Sequence, residues 1–87
     1  MSTKTKTRVW VQPWEESEAG WGVRPDGYSL HLTREDVDKF ITAYWKSQPD
    51  QVPNEYSRPS GPPFQAEYDG VINQSQWAPP GWRPKKP

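Results

Sequence analysis

The sequence predicts a small α+β domain: a mainly antiparallel sheet of three to five short strands, covered by one amphipathic helix at about 34–47, with flexible termini. Three observations support this. Several short segments alternate apolar and polar residues, as strands do, and one segment has the apolar spacing of a helix. The length of 87 residues allows a single domain at most. A helix laid across a sheet covers the apolar stripes of both.

Composition favours a folded domain with a small core. Hydrophobic residues make up 31% of the chain and 11 prolines interrupt it, but six tryptophans and four tyrosines each bury a large area. The chain has no cysteine, which excludes a disulfide and a thiolate metal site and fits a reducing cytoplasm. No apolar run approaches the roughly 18 residues of a membrane span, so we expect no membrane association.

The helix is the clearest element. Thr33 is a good N-cap, and Glu35 and Asp36 place negative charge in the first turn, where the helix dipole favours it. Pro49 ends the helix by restricting the residue before it. Apolar residues recur at helical spacing along one face: Val37, Phe40, Ile41, Tyr44 and Trp45.

Alternation and turn chemistry predict the strands. A short strand between Arg8 and Trp14 precedes an acidic loop, and the turn residues of 24–27 predict a hairpin that joins 21–23 to 28–32. In the second of these strands, Ser29 and His31 face away from the core. A later strand at 64–68 is followed by the turn signal Asp69-Gly70 and a last short strand at 71–72.

The chain divides into three parts around this domain. Residues 1–7 form a flexible basic arm, 8–72 the single domain, and 73–87 a flexible tail that is rich in proline and tryptophan and has no core face. Within the domain, 49–63 is a long loop that contains five prolines.

Charge is distributed unevenly along the chain. From Val9 to Trp82 there are 5 basic and 11 acidic residues, a net charge of −6, whereas each end carries three basic residues. Such a body repels phosphate backbones and attracts basic surfaces. Because zinc-ligand spacing and a basic recognition helix are also missing, we expect no sequence-specific nucleic-acid binding.

Enzyme chemistry has little support in the sequence. His31 is the one histidine, and it shares a strand face with Ser29, but side chains two apart on a strand are roughly 7 Å apart at their roots. We therefore expect a surface histidine and no nucleophile–base pair. The residues also lack the spacing of a metal site, so we expect no enzyme and no cofactor.

One hypothesis is a site for a nucleotide-like ligand. Two Arg-Pro turns each have a tyrosine nearby, and an arginine on a stiff backbone loses little entropy when it binds a planar anion. The alternative, that Arg-Pro is simply good turn chemistry, stays open. The residues of this hypothesis are Arg24, Tyr28, Tyr56 and Arg58.

The leading hypothesis is a non-enzymatic interaction protein, an inhibitor that docks an acidic, aromatic-rich face onto a basic surface of another protein. The short, cysteine-free and aromatic-rich chain has the general look of small proteins that phages and mobile elements encode, so such an origin is part of this hypothesis. A domain this short could also depend on self-association, as a homo-oligomer. The expected partner-binding residues are Trp14, Glu15, Glu16, Glu18 and Trp21.

Six aromatic residues have no assured core position. They either pack as a second layer under the loops or form an exposed patch: Trp10, Trp14, Trp21, Tyr56, Trp77 and Trp82.

Overall fold

The computed structural model of the protein describes residues 6–18, 22–48 and 55–84. These residues form one helix and a curled antiparallel sheet, so the predicted α+β class is confirmed. The elements are, in chain order, β1 (Lys6–Glu18), β2 (Gly22–His31), α1 (Arg34–Lys46), β3 (Glu55–Pro59), β4 (Phe64–Asp69) and β5 (Gln76–Trp77).

The long strand β1 organises the sheet. On one side it pairs with β2, and on the other side with β4 along its first half and with β3 along its second half. The short β5 extends the sheet beyond β2, to which it pairs at Ser29 and Leu30. All of these pairings are antiparallel.

The predicted hairpin turn at 24–27 is wrong, because these residues lie inside β2. Trp14 pairs with Gly27 and Glu15 with Pro25, so Asp26 is an extra residue in the ladder, a β-bulge. Gly27 has a φ of 100°, a backbone conformation that favours glycine. Proline, as at Pro25, is tolerated in a strand where the outer side needs no N–H donor. The sequence fits a bulge as well as a turn. The connection between β1 and β2 at 19–21 lies outside the described residues.

Other parts of the predicted strand pattern also change. The acidic segment 15–18 continues β1 between β2 and β3, where a solvated loop was expected. The strand β3 lies within the predicted proline-rich loop, whose first part, 49–54, is outside the described residues. Residues 71–72 form no strand; Ile72 is buried in the core instead.

The helix α1 agrees closely with its prediction. The Thr33 hydroxyl accepts a hydrogen bond from the backbone N–H of Asp36 at 3.1 Å, which confirms the N-cap. The helix packs on the face of the sheet that carries Trp14 and His31, with its Phe40 ring 5.1 Å from the imidazole. The helix thus covers the Ser29–His31 face, which was expected to face away from the core.

The opposite face of the sheet holds the aliphatic core, which the C-terminal segment helps to cover. Val9, Val11, Leu30 and Ile72 are buried there, each stabilising the fold by about 1.5–3 kcal/mol. Residues 73–84 differ from the predicted tail without a core face, since they form β5 and pack against this cluster. The partly buried side chains around it are Tyr28, Ala66, Tyr68, Ala78 and Trp82.

Candidate functional site

A chain of hydrogen bonds runs through the interior between the sheet and α1. The Trp14 indole Nε1–H donates to Ser29 Oγ at 2.7 Å, Ser29 Oγ is 2.8 Å from His31 Nε2, and His31 Nδ1 is 2.8 Å from Ser75 Oγ. Trp14, Ser29 and His31 are at most 1% exposed. We call these four residues the buried polar chain. It joins β1, β2 and the segment before β5.

The donor and acceptor capacities limit the proton positions along the buried polar chain. An indole nitrogen can only donate, so Ser29 Oγ accepts from Trp14. A serine hydroxyl can donate one hydrogen bond and accept two, so two arrangements fit the neutral imidazole: Ser29 donates to His31 Nε2 while Nδ1 donates to Ser75, or Nε2 donates to Ser29 while Nδ1 accepts from Ser75. In either arrangement every buried side-chain nitrogen and oxygen of the chain has a partner.

The environment of His31 keeps its imidazole neutral. Burial lowers the pKa of His31 from 6.5 to about 4, although the carboxylate of Asp36 opposes this shift. The expected surface histidine is therefore wrong, as is the expectation that Ser29 and His31 are too far apart to interact. The strand geometry separates the Cα atoms of the two residues, but their side chains turn toward each other, with Ser29 also bonded to Trp14 and His31 to Ser75.

The Ser29–His31 pair resembles a nucleophile with its base, but its position does not suit that chemistry. A nucleophile must reach a substrate, and both residues are 0% exposed beneath the rings of α1. The contacts suit a structural role, in which the pair fixes the sheet, the helix and the C-terminal segment relative to one another.

An accessible groove of about 540 Å³ lies between the Pro25–Tyr28 part of β2 and the segment 77–83. We call it the edge groove. The backbone N–H of Ala78 donates to the carbonyl of Tyr28 at 2.9 Å, which joins the two walls. Its lining includes three aromatic rings (Tyr28, Trp77, Trp82), three prolines (Pro25, Pro79, Pro80) and two charged residues (Asp26, Arg83).

The tryptophans that line the edge groove also pack against other aromatic rings of the protein. The Trp82 ring makes edge-to-face contacts with Tyr28 at 5.7 Å and with Tyr68 at 6.0 Å between ring centroids. Trp77 packs against Trp14 at 4.9 Å and Phe40 at 5.3 Å, yet it is 46% exposed. The groove therefore presents ordered apolar surface to a ligand, which lowers the entropy lost on binding.

The polar part of the edge groove is also ordered. The Ser57 hydroxyl, from β3, donates to the Asp26 carboxylate at the bulge. A second cavity of about 280 Å³ adjoins the edge groove, shares Tyr28 with it and is lined by Trp14 and Glu15. Carboxylates thus lie in and beside the aromatic groove.

The predicted nucleotide site is only partly assembled. Tyr28 lines both cavities. Arg58 binds Glu15 instead, with its Nε 2.5 Å from the carboxylate, and lines neither cavity. In the backbone register, Arg24 is opposite Glu16 and Arg58 opposite Glu15. The side chains of Arg24 and Tyr56 lie outside the described part of the structure.

The predicted partner-binding face is also rearranged. The expected exposure of Trp14 is wrong, because its ring is 1% exposed and packs against Phe40, Tyr44 and Trp77. Glu15 and Glu16 are partly buried on β1, between β2 and β3. Trp21 and the Glu18 side chain lie outside the described residues.

Sequence reasoning left out Trp77 and Trp82 as groove residues, and Asp26 and Ser75 as functional contacts. The signal for the first two was present, since both were tryptophans without an assured core position. The contact of Ser75 with His31 spans 44 residues and has no local sequence pattern.

Among residues 6–18, 22–48 and 55–84, no acidic and histidine side chains cluster as a metal site would require. In the same part of the chain, α1 is too short and too polar to cross a membrane. Comparisons with protein-family models, with curated proteins and with solved structures gave no match.

Proposed function

We propose that this protein is a non-enzymatic interaction protein whose edge groove binds an extended, basic segment of a partner protein. The edge groove carries this proposal: aromatic rings and prolines line a cleft of about 540 Å³ beside a strand edge. Aromatic-lined grooves are a common way to bind extended, proline-containing peptides, because such peptides lose little entropy when they bind.

The strand edge adds a second source of affinity. Among the described residues, β5 pairs with the outer side of β2 at Ser29 and Leu30, and the Ala78 N–H occupies the Tyr28 carbonyl, so only the 22–27 part has no partner strand there. An extended peptide at this edge can form main-chain hydrogen bonds with β2. Pro25 offers no N–H donor, which limits the number of these bonds.

Charge supports a basic partner. The chain from Val9 to Trp82 has a net charge of −6; of the two charged residues that line the edge groove, Asp26 belongs to this acidic span and Arg83 directly follows it. Long-range attraction of this kind raises association rates and selects basic segments over acidic ones. Glu15, in the adjoining cavity, extends the acidic surface. In this proposal the acidic, aromatic binding surface is therefore the edge groove and not the face that was expected around Trp14.

Basic segments of proteins often contact nucleic acids or nucleotides, so occupation of such a segment would inhibit its owner. We propose this inhibitory role, in the cytoplasm, where a chain without cysteine is suited to reducing conditions. A nucleotide-like ligand has less support, because Arg58 binds Glu15 and lines neither cavity, whereas Tyr28, the other residue of that hypothesis whose side chain is described, lines both.

The test is selection of binders from a library of random displayed peptides, followed by titration against two variants. Asp26→Lys changes the charge inside the groove, and Glu35→Lys makes the same charge change on the exposed helix surface. We expect basic, proline-containing peptides that bind Asp26→Lys several-fold more weakly and Glu35→Lys nearly as well as the wild type. Equal losses in the two variants would contradict binding in the groove.

A further inference from the structure

The strand β4 presents an open edge on the side of the sheet away from the edge groove. Among the described residues, β1 is the one strand that pairs with β4. Phe64 is 39% exposed, although it is opposite the fully buried Val11 in the register. An edge strand with an exposed aromatic side chain is a template for pairing with another strand.

We propose that two copies of this chain associate through β4, antiparallel and about a two-fold axis at Ala66. This pairing joins the two sheets into one. It places Phe64 of each copy opposite Tyr68 of the other, and Gln65 opposite Glu67. Aromatic pairs directly across strands are among the more stabilising cross-strand contacts.

Other registers fit less well. Side chains alternate between faces along a strand, so a shift by one residue would set the apolar face of one copy against the polar face of the other. A shift by two residues in one direction places the two Glu67 carboxylates opposite each other, and like charges there are destabilising. The opposite shift pairs Phe64 with Ala66 and loses the aromatic contact. The register centred on Ala66 avoids each of these costs.

The polar contacts of β4 are already arranged for this partner. Within one copy, the Gln65 Oε1 accepts from Arg8 Nη2 at 3.4 Å, so its amide nitrogen is left to donate elsewhere. In the paired strands it faces Glu67 of the second copy, a carboxylate whose partner in its own chain is Lys6 at 3.7 Å. Two such contacts form in each dimer because of the symmetry.

The charge at position 65 gives the first test, by sedimentation velocity over a range of protein concentrations. Gln65→Lys faces Glu67 of the second copy and should tighten the dimer about two- to tenfold, whereas Gln65→Glu should weaken it by a similar factor. Within its own chain, Gln65 contacts Arg8, so a purely internal effect would favour Gln65→Glu over Gln65→Lys. A wild-type protein that stays monomeric at every concentration, or the reverse order of the variants, would overturn the proposal.

Crosslinking gives the second test, since the chain has no cysteine of its own. Residues directly opposite on antiparallel strands have Cβ atoms about 4.5–5.5 Å apart, close enough for a disulfide after a small adjustment. Ala66→Cys should therefore form a covalent dimer under mild oxidation much faster than Thr42→Cys, which is exposed on α1. Equal rates for the two variants would place any association elsewhere and overturn the proposed axis.

Discussion

The Nε2 atom of His31 is 2.8 Å from the Ser29 hydroxyl oxygen, and neither residue has exposed surface. The same imidazole is hydrogen-bonded to Ser75. Trp77, two residues further along the chain, lines the edge groove. The interior hydrogen bonds therefore position one side of the proposed binding site. This link between the buried polar chain and the edge groove leads to several expected outcomes.

The stability of the fold should decrease as the pH falls from about 6.5 to about 4. The pKa of His31 is 6.5 when unfolded and about 4 when folded, so over this range the unfolded chain binds more protons. At pH 4.5 the loss relative to pH 7 should reach about 2.5 kcal/mol from this group. Urea denaturation at a series of pH values measures it.

The matched control for the pH experiment is His31→Gln, which removes the titrating group. This variant should be less stable than the wild type at pH 7, because its amide cannot reproduce both contacts of the imidazole. The difference between the two proteins should shrink as the pH falls. Parallel stability curves for both proteins would show that His31 does not cause the pH dependence.

Removal of the Ser29 hydroxyl should lower the free energy of unfolding more than removal of the Ser75 hydroxyl. Ser29→Ala leaves both the Trp14 Nε1–H and the His31 Nε2 without a partner in a buried site, at about 2–4 kcal/mol. Ser75 is partly exposed, so water can replace its hydroxyl, and Ser75→Ala should cost about 0.5–1.5 kcal/mol. Chemical denaturation of the two variants checks this order, and a larger loss for Ser75→Ala would contradict it.

The bulge in β2 should depend on glycine at position 27. A Cβ there would contact nothing within 4 Å, so Gly27→Ala meets no steric clash. The φ of 100° alone should lower the free energy of unfolding by about 1–2 kcal/mol. Gly61 is the control, since its Cβ would also meet open space and its φ is not in the left-handed region. Gly61→Ala should leave the melting temperature unchanged or slightly raised. Equal effects would argue against the bulge geometry.

The elements that the sequence predicted well are those that depend on neighbouring residues. The N-cap Thr33 and the apolar spacing from Val37 to Tyr44 define α1 through contacts within four residues, and both are confirmed, whereas Trp45 at the end of the predicted stripe is 40% exposed. In contrast, Pro25 and Gly27 suit a turn and a bulge equally well. The choice between them depends on the pairing of β1 with β2, which local patterns do not contain.

The site was harder to predict because its contacts are distant in sequence. The burial of His31 depends on Phe40 above it and on Ser75, and that of Trp14 on Trp77, 63 residues later. The proline-rich C-terminal segment has no apolar periodicity, so its packing across the sheet left no pattern to detect. Tyr28, which the sequence did single out, lies in the edge groove.

The most direct test of the proposed function uses the indole N–H signals of the six tryptophans in a ¹⁵N–¹H correlation spectrum. A selected basic peptide should shift the signals of Trp77 and Trp82, whereas the signal of Trp45, exposed on α1, should stay in place. Tryptophan-to-phenylalanine variants assign the signals. If a peptide that binds leaves Trp77 and Trp82 unchanged, or shifts Trp45 instead, the edge groove is not the binding site.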